Sequence, residues 1–266
     1  MVLFGRKKTL RKHKLGLTLS GGGTRGIAHI GAFKAFEEAG ILFDCVSGTS
    51  AGSIMGALYS AGIGWQTILV EAKKLTRKDF LDKRFIVGSD SQNIVNIARS
   101  LLGDTTFEQL KIPFAAVAVD LRTGQEVVLN TGDVATAVAA SSAVPALFTP
   151  VAMGEMALVD GGLLNNMPAD VCRNMGAEIV VGVDLNHLRG QGSSSNKLKD
   201  TLLAAWSIAS KNAMYKGEFN SDVIVTPELS NYKNTRLDNI DEMFEEGYRA
   251  AMEKMPAILD LINTKF

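Results

Sequence analysis

The sequence predicts an α/β fold built on a largely parallel sheet. Three observations carry that prediction. Strand-like and helix-like segments alternate along the chain, the pattern that βαβ units leave in a sequence. Several strand candidates are continuous apolar runs, such as Phe114-Ala115-Ala116-Val117-Ala118-Val119 and Ile179-Val180-Val181-Gly182-Val183. Such runs suit strands covered on both faces. Finally, two glycine-rich turns each follow a strand candidate and open a helix candidate.

The first strand candidate, 15–19, is Leu15-Gly16-Leu17-Thr18-Leu19. It runs into Ser20-Gly21-Gly22-Gly23-Thr24-Arg25-Gly26 and a helix over 26–39. The second, 43–47, runs into Gly48-Thr49-Ser50-Ala51-Gly52 and a helix over 50–61. Helices over 64–75 and 92–102 follow. Then come strands over 113–120 and 126–130, a helix over 133–142 and a strand over 156–160. A helix over 168–175, a strand over 178–185, a helix over 197–216, a strand over 222–226 and a helix over 239–263 complete the order. Residues 76–112 have weaker strand signals and read as an irregular helical insertion. Its Phe85, Ile86, Val87, Ile94 and Leu101 either line an apolar pocket or pack on the sheet. In the 197–216 helix, Leu198, Leu202, Trp206, Ala209 and Ala213 share one face and are expected in the core. The Gly/Ser-rich stretch His187–Ser195 before it reads as a flexible connection.

A chain of 266 residues, 46% hydrophobic and 21% charged, is near the upper size for one hydrophobic core, about 250–300 residues. The expected organisation is a basic arm over 1–14 and a single unit over 15–266. Cys45 and Cys172 are scattered, which favours a reducing compartment over a disulfide framework. No apolar h-region opens the chain and no uncharged stretch is long enough to span a bilayer, so the expected location is cytoplasmic. Net charge is zero but unevenly spread. The arm holds Arg6, Lys7, Lys8, Arg11, Lys12 and Lys14 with no acid, leaving 22 basic against 28 acidic residues elsewhere. That acidic body argues against nucleic acid as a partner. The arm is either a solvated terminus or a contact for an anionic membrane.

Both turns make chemical sense of their glycines. Gly21, Gly23 and Gly26 fit the dinucleotide pattern G-x-G-x-x-G, with Asp44 near the acidic position expected for a ribose contact. Asp44 stands at the start of its strand rather than the end, which weakens that reading. The alternative is an oxyanion loop, whose backbone N–H groups, helix N-terminus and Arg25 meet a developing negative charge. The second turn fits G-x-S-x-G, the elbow that lifts a nucleophilic serine, here Ser50, out of a strand-to-helix bend. Gly48 and Gly52 make the tight turn possible. A plain helix cap does not explain glycines at both flanks.

Two bases fit Ser50 by residue type. His187 follows a strand, so Ser50, Asp160 and His187 give the chain order of an α/β-hydrolase triad. Only one strand precedes the elbow, however, where such hydrolases have several. His13 lies in the basic arm, and His29 sits in the first turns of a helix as a packed or half-exposed residue. The other choice is a carboxylate. Asp120, Asp160 and Asp184 each end a strand, but only Asp160 is followed by a glycine pair, Gly161-Gly162, that lets backbones pass closely. Asp120 and Asp184 read as turn or cap residues.

Four blocks in order, Gly21–Gly26, Gly48–Gly52, Ala140-Ser141-Ser142-Ala143-Val144-Pro145-Ala146-Leu147-Phe148 and Asp160-Gly161-Gly162, resemble those of the patatin-like phospholipase family. The resemblance covers residues 15–185, with a weaker match to about 260. It implies a three-layer α/β/α sandwich with a mixed, mostly parallel central sheet. It also implies a Ser50–Asp160 dyad without histidine, an oxyanion loop of Gly21, Gly22, Gly23 and Arg25, and a wall near the dyad shaped by Pro145. The implied substrates are fatty acyl esters of phospholipids, lysophospholipids or neutral lipids, with no metal or other cofactor. Two alternatives stay open, a Ser-Asp-His esterase and a non-catalytic lipid-binding protein. A dyad relying on Asp160 is expected to keep its activity smoothly well below pH 6, since a free Asp titrates near 3.9.

Overall fold

The computed structural model describes residues 13–74, 89–186, 198–232 and 239–264. His187, Phe85, Ile86, Val87, the Gly/Ser-rich stretch and residues 1–12 of the basic arm lie outside them. The elements run β1 (Leu15–Leu19), α1 (Ile27–Glu38), β2 (Cys45–Thr49), α2 (Ala51–Ser60), α3 (Trp65–Lys74), α4 (Gln92–Leu102), β3 (Phe114–Asp120), β4 (Gln125–Leu129) and α5 (Val134–Ser142). They continue with β5 (Val151–Met153), β6 (Met156–Asp160), α6 (Ala169–Asn174), β7 (Ile179–Val183), α7 (Leu198–Asn212), α8 (Tyr215–Asn220), β8 (Val223–Val225) and α9 (Ile240–Thr264).

The strands form one mixed sheet. β3, β2, β1, β7 and β8 are parallel neighbours, while β4 and β6 run antiparallel to β3 and β5 runs antiparallel to β6. Alternation along the strands sorts their side chains onto two faces. Leu15, Leu17, Leu19, Val46, Ala116, Ala118, Ile179, Val181 and Val183 join one large core with α1, α2, α4, α5 and α9. The other face shows smaller clusters, Cys45 and Val180 with Ala169, Cys172 and Ala177, and Ala115 and Val117 with Val171. Here α6 is the covering element. A sheet sheathed by helices on both faces is the three-layer α/β/α arrangement. Each large side chain buried in this way, Leu17 or Ile179 for instance, stabilises the fold by about 1.5–3 kcal/mol.

β3 decides where the site forms. Along its first half it pairs with β2, Val46–Thr49 against Phe114–Val117. Along its second half it pairs with β6, Ala118–Asp120 against Asp160–Leu158. Val46 N–H donates to Pro113 O and Leu121 N–H donates to Ala157 O. Both β3-side partners are odd-numbered, and alternate residues of a strand direct their backbone groups to the same edge. β2 and β6 therefore share one edge of β3 and approach each other head to head. Thr49, opposite Val117, ends one strand, and Asp160, opposite Ala118, ends the other. The nucleophile follows Thr49 directly.

Two expectations are corrected. The helix foreseen over 197–216 breaks into α7 and α8 around Ala213–Met214. Its apolar stripe is also not core. Leu198 is 75% and Leu202 47% exposed, whereas Ala213 and the polar Ser210 are buried. The helix turns the face bearing Ser210 inward, toward the turn that follows Asp160. Among its described residues the insertion holds one α-helix, α4, whose Ile94 is buried in the main core and whose Leu101 packs against it half-buried. The three-residue strand β5, absent from the sequence reading, is one arm of a hairpin in which Met153 pairs with Met156.

Candidate active site

Ser50 is the first landmark. Its backbone sits at φ 54°, ψ −126°, a region that non-glycine residues occupy only under strain costing about 1–3 kcal/mol. The strain persists because the surroundings hold it. Ser50 N–H donates to Ser141 Oγ at 3.0 Å and to Ser141 O at 3.1 Å. Ser53 Oγ donates back to Ser50 O at 2.7 Å. The flanking glycines are steric necessities. A Cβ on Gly52 would stand 2.1 Å from Leu19 O, and one on Gly48 would stand 2.3 Å from Gly52 O.

Asp160 is fully buried. Its N–H donates to Ala143 O at 3.0 Å, and its Oδ1 accepts Gly162 N–H at 2.8 Å. Burial pushes the carboxyl up to about 7, while hydrogen bonding from Ser50 and Gly162 pulls it back down. Oδ2 makes no hydrogen bond of good geometry among the described residues. The Ser50 hydroxyl is thus a neighbour that favours the carboxylate without being fully aligned on it, as is common in resting catalytic sites. A base titrating near 7 is matched to neutral pH, far better than a free carboxyl.

The third glycine block now has a visible purpose. After Asp160 the chain crosses the end of β3, and a Cβ on Gly161 would lie 2.2 Å from Val117 O. The crossing segment then ties the site together. Thr49 Oγ1 donates to Asn165 O at 2.8 Å, and Gly21 N–H donates to Asn166 O at 3.0 Å. Asp160, the Ser50 turn and the glycine loop are thus strapped by seven consecutive residues, 160–166.

The first glycine loop is held from behind. Ser20 O accepts His29 Nε2–H at 3.0 Å, Ser20 Oγ accepts Leu185 N–H at 2.9 Å, and Gly21 O accepts Asn186 Nδ2–H at 2.6 Å. Gly21 spends its own N–H on Asn166, so its place in the loop is spacing rather than donation. A Cβ there would stand 2.4 Å from Asn166 Oδ1. Gly22 and Gly23 donate to no backbone acceptor among the described residues, and Gly23 is exposed at φ 61°. They head the short 3-10 turn Gly23–Gly26, where unpaired amides are a ready anion site. The Arg25 guanidinium, by contrast, donates through Nε and Nη2 to Tyr232 O at 2.9 and 2.6 Å. It anchors the loop to the chain before α9 rather than adding a free charge at its mouth.

The remaining candidates separate clearly. Asp44 Oδ2 accepts Leu15 N–H at 2.9 Å, at the N-terminal ends of β1 and β2. The glycine loop stands at their C-terminal ends, so Asp44 is remote from any ribose bound there. His13 pairs with Glu178 at the same far end. His29 is wholly buried, and burial lowers its pKa to about 4, against a smaller opposing effect of the Ser20 carbonyl. It is neutral near pH 7 and already committed to Ser20. Asp120 accepts Ala157 N–H, Arg122 N–H and the Thr123 hydroxyl, a turn role as expected. Asp184 accepts Asn186 N–H. Pro145 is half-buried in a turn closed by Leu147 N–H to Val144 O at 3.0 Å, followed by Ala146 at φ 67°. It shapes the segment just beyond the carbonyl that holds Asp160.

Sequence reasoning missed four supporting residues, Ser141, Asn166, His29 and Asn186. Ser141 lies inside the third block and Asn166 just after the fourth, so their location carried a signal. Their bonds depend on folding that no spacing reveals.

The residues from 17 to 173 match the family model described as patatin-like phospholipase. An uncharacterized NTE family protein of Mycobacterium tuberculosis (strain CDC 1551 / Oshkosh) is 31% identical over 94% of this chain. The match spans 48% of that relative, so this chain has about half its length. Neuropathy target esterase sws of Drosophila melanogaster is 33% identical over 66% of this chain and 13% of its own. Among solved structures, VipD from Legionella pneumophila superposes with a TM-score of 0.63 at 15% identity, covering 92% of this chain and 67% of that one. Human GIVD cytosolic phospholipase A2, solved with methyl gamma-linolenyl fluorophosphonate, gives 0.56 at 11% identity, covering 98% and 61%. At such identities the structural likeness speaks for the fold alone.

Proposed function

The chain belongs to the patatin-like phospholipase family, and on that premise we propose that it is a serine hydrolase of fatty acyl esters. Ser50 is the nucleophile and Asp160 its base. The substrates are phospholipids, lysophospholipids or related lipid esters. One observation carries the reading. β2 and β6 end head to head on one edge of β3, which sets a strained serine beside a wholly buried carboxyl. The amides of Gly22 and Gly23, which donate to no backbone acceptor among the described residues, belong to the same loop cluster.

In this reading Asp160 takes the Ser50 proton as Oγ attacks the ester carbonyl, and Gly22 and Gly23 meet the oxyanion. Protonated Asp160 then gives its proton to the departing alcohol. Water, deprotonated by Asp160, releases the fatty acid and restores Ser50. Among the described residues no helix is long and apolar enough to cross a membrane. The test is release of fatty acid from a panel of phospholipids and lysophospholipids. Activity in the unmodified protein that is lost in Ser50→Ala supports the reading. No release from any ester would overturn it.

A further inference from the structure

Deacylation requires a water molecule held against Asp160 and close to Ser50, and polar side chains beside Asp160 supply groups to orient it. Three polar side chains crowd the bare Cα of Gly162. The point where a Cβ would lie is 3.0 Å from Asp160 Oδ1, 3.1 Å from Asn166 Oδ1 and 3.2 Å from Ser210 Oγ. All three residues are at most 1% exposed. Asn166 Oδ1 and Ser210 Oγ each lack a hydrogen-bond partner among the described residues, and Asp160 Oδ2 has only the imperfectly aligned Ser50 hydroxyl. Buried polar atoms are nearly always paired, so two orphans, Asn166 Oδ1 and Ser210 Oγ, against one Cα beside the Asp160 carboxyl point to a ligand that pairs them. The cluster also borders the nucleophile. The Cβ position of Gly21 is 2.4 Å from Asn166 Oδ1 and 3.0 Å from Ser50 Cβ.

Folding does not explain the side chains. Asn166 does its structural work through its backbone, accepting Gly21 N–H and donating to Ala213 O. Among the described residues its side-chain Nδ2 has only Met214 Sδ, at 3.4 Å, and a thioether is a weak acceptor. Ser210 lies on α7, fully buried, with no partner for its hydroxyl among the described residues.

Resting on the function proposed above, we propose that Asn166 and Ser210 hold the hydrolytic water for Asp160 and so serve deacylation specifically. The inventory of hydrogen bonds closes. Water donates one proton to Asp160 and one to Asn166 Oδ1, and it accepts from the Ser210 hydroxyl. One lone pair is left to attack the acyl carbon. As the new C–O bond forms, Asp160 takes the water proton. As the C–Oγ bond breaks, that proton passes to Ser50 Oγ and the fatty acid departs. Asn166 and Ser210 exchange no proton, so both are positioning residues.

The test separates the two half-reactions with a p-nitrophenyl fatty ester. In the unmodified protein, Asn166→Leu, Ser210→Ala and Ser210→Thr, three quantities are measured: fluorophosphonate labelling of Ser50, the p-nitrophenolate burst, and steady-state turnover. The expected result for Asn166→Leu and Ser210→Ala is labelling and burst rates close to those of the unmodified protein. Turnover falls on the order of 100-fold, the scale of a misplaced reactant. Acyl-enzyme then accumulates in the intact-mass spectrum, and Ser210→Thr, which keeps the hydroxyl, recovers turnover. Labelling and turnover that fall together would assign these residues to acylation or to folding and overturn the inference. So would turnover that does not change. An unmodified protein that neither labels nor turns over removes the catalytic reading and this inference with it.

Discussion

The hydroxyl of Ser141 accepts the backbone N–H of Ser50 at 3.0 Å and donates onward to Val117 O at 2.6 Å. Two residues later, Ala143 O accepts Asp160 N–H at 3.0 Å. One short stretch at the end of α5 therefore sets both members of the proposed dyad. Ser141→Ala should lower kcat about 10- to 100-fold through misplacement of Ser50, with little change in KM. Unfolding free energy should fall by about 1–3 kcal/mol, because Val117 O is left buried without that donor. Steady-state kinetics and urea denaturation of the variant check both numbers.

Asp160 reverses the pH expectation drawn from sequence. Activity well below pH 6 is the expectation for a carboxyl titrating near the free value of about 3.9, but burial pushes this one to about 7. Its carboxylate form predominates only above that value. The pH profile of kcat/KM should therefore show an acid limb near pH 7, and His187→Ala should leave that limb in place. A limb that vanishes in His187→Ala would assign the proton to histidine.

The same burial has a stability consequence of opposite sign to the usual carboxylate. Between pH 3.8 and about 7 the folded state keeps a proton that the unfolded chain has lost. Stability therefore falls as pH rises through that window, by about 4 kcal/mol in all. Asp160→Asn carries no such penalty. Its stability relative to the unmodified protein should grow between pH 4 and pH 8, as denaturant midpoints at the two values would show.

His29 works the other way. Its folded pKa of about 4 lies below the ordinary 6.5, so the unfolded state binds the proton first as pH falls. The stability this neutral imidazole contributes is present above pH 6.5 and is lost toward pH 4, about 3 kcal/mol in total. In the Asp160→Asn background, where the opposing carboxyl is gone, that acid slope should be visible. Adding His29→Gln should flatten it while keeping a donor for Ser20 O.

Gly161→Ala tests the strap over β3. A Cβ there meets backbone, Val117 O at 2.2 Å, which cannot swing aside. The variant should lose about 3 kcal/mol or more and all ester hydrolysis, measured by denaturation and turnover.

Much of this was legible in the sequence, for identifiable reasons. Apolar runs such as Phe114–Val119 and Ile179–Val183 announced buried strands, and the two glycine turns stood at strand ends because backbones must pass within contact there. What escaped was relational. Ser50 and Asp160 meet because β6 occupies the continuation of β2 along β3, and spacing along a chain contains no such lane assignment. Gly21 and Arg25 belonged to the right loop, yet one amide is spent on Asn166 and the guanidinium on Tyr232. The stripe on α7 misled because periodicity marks an apolar face without saying what covers it.

The most direct single test of the Ser50–Asp160 dyad is labelling by a fluorophosphonate ester across the unmodified protein, Ser50→Ala, Asp160→Asn and His187→Ala. Labelling of the unmodified protein and of His187→Ala, with none in Ser50→Ala and little in Asp160→Asn, is the expected outcome. Labelling abolished by His187→Ala, or undiminished in Asp160→Asn, would contradict a serine–aspartate site.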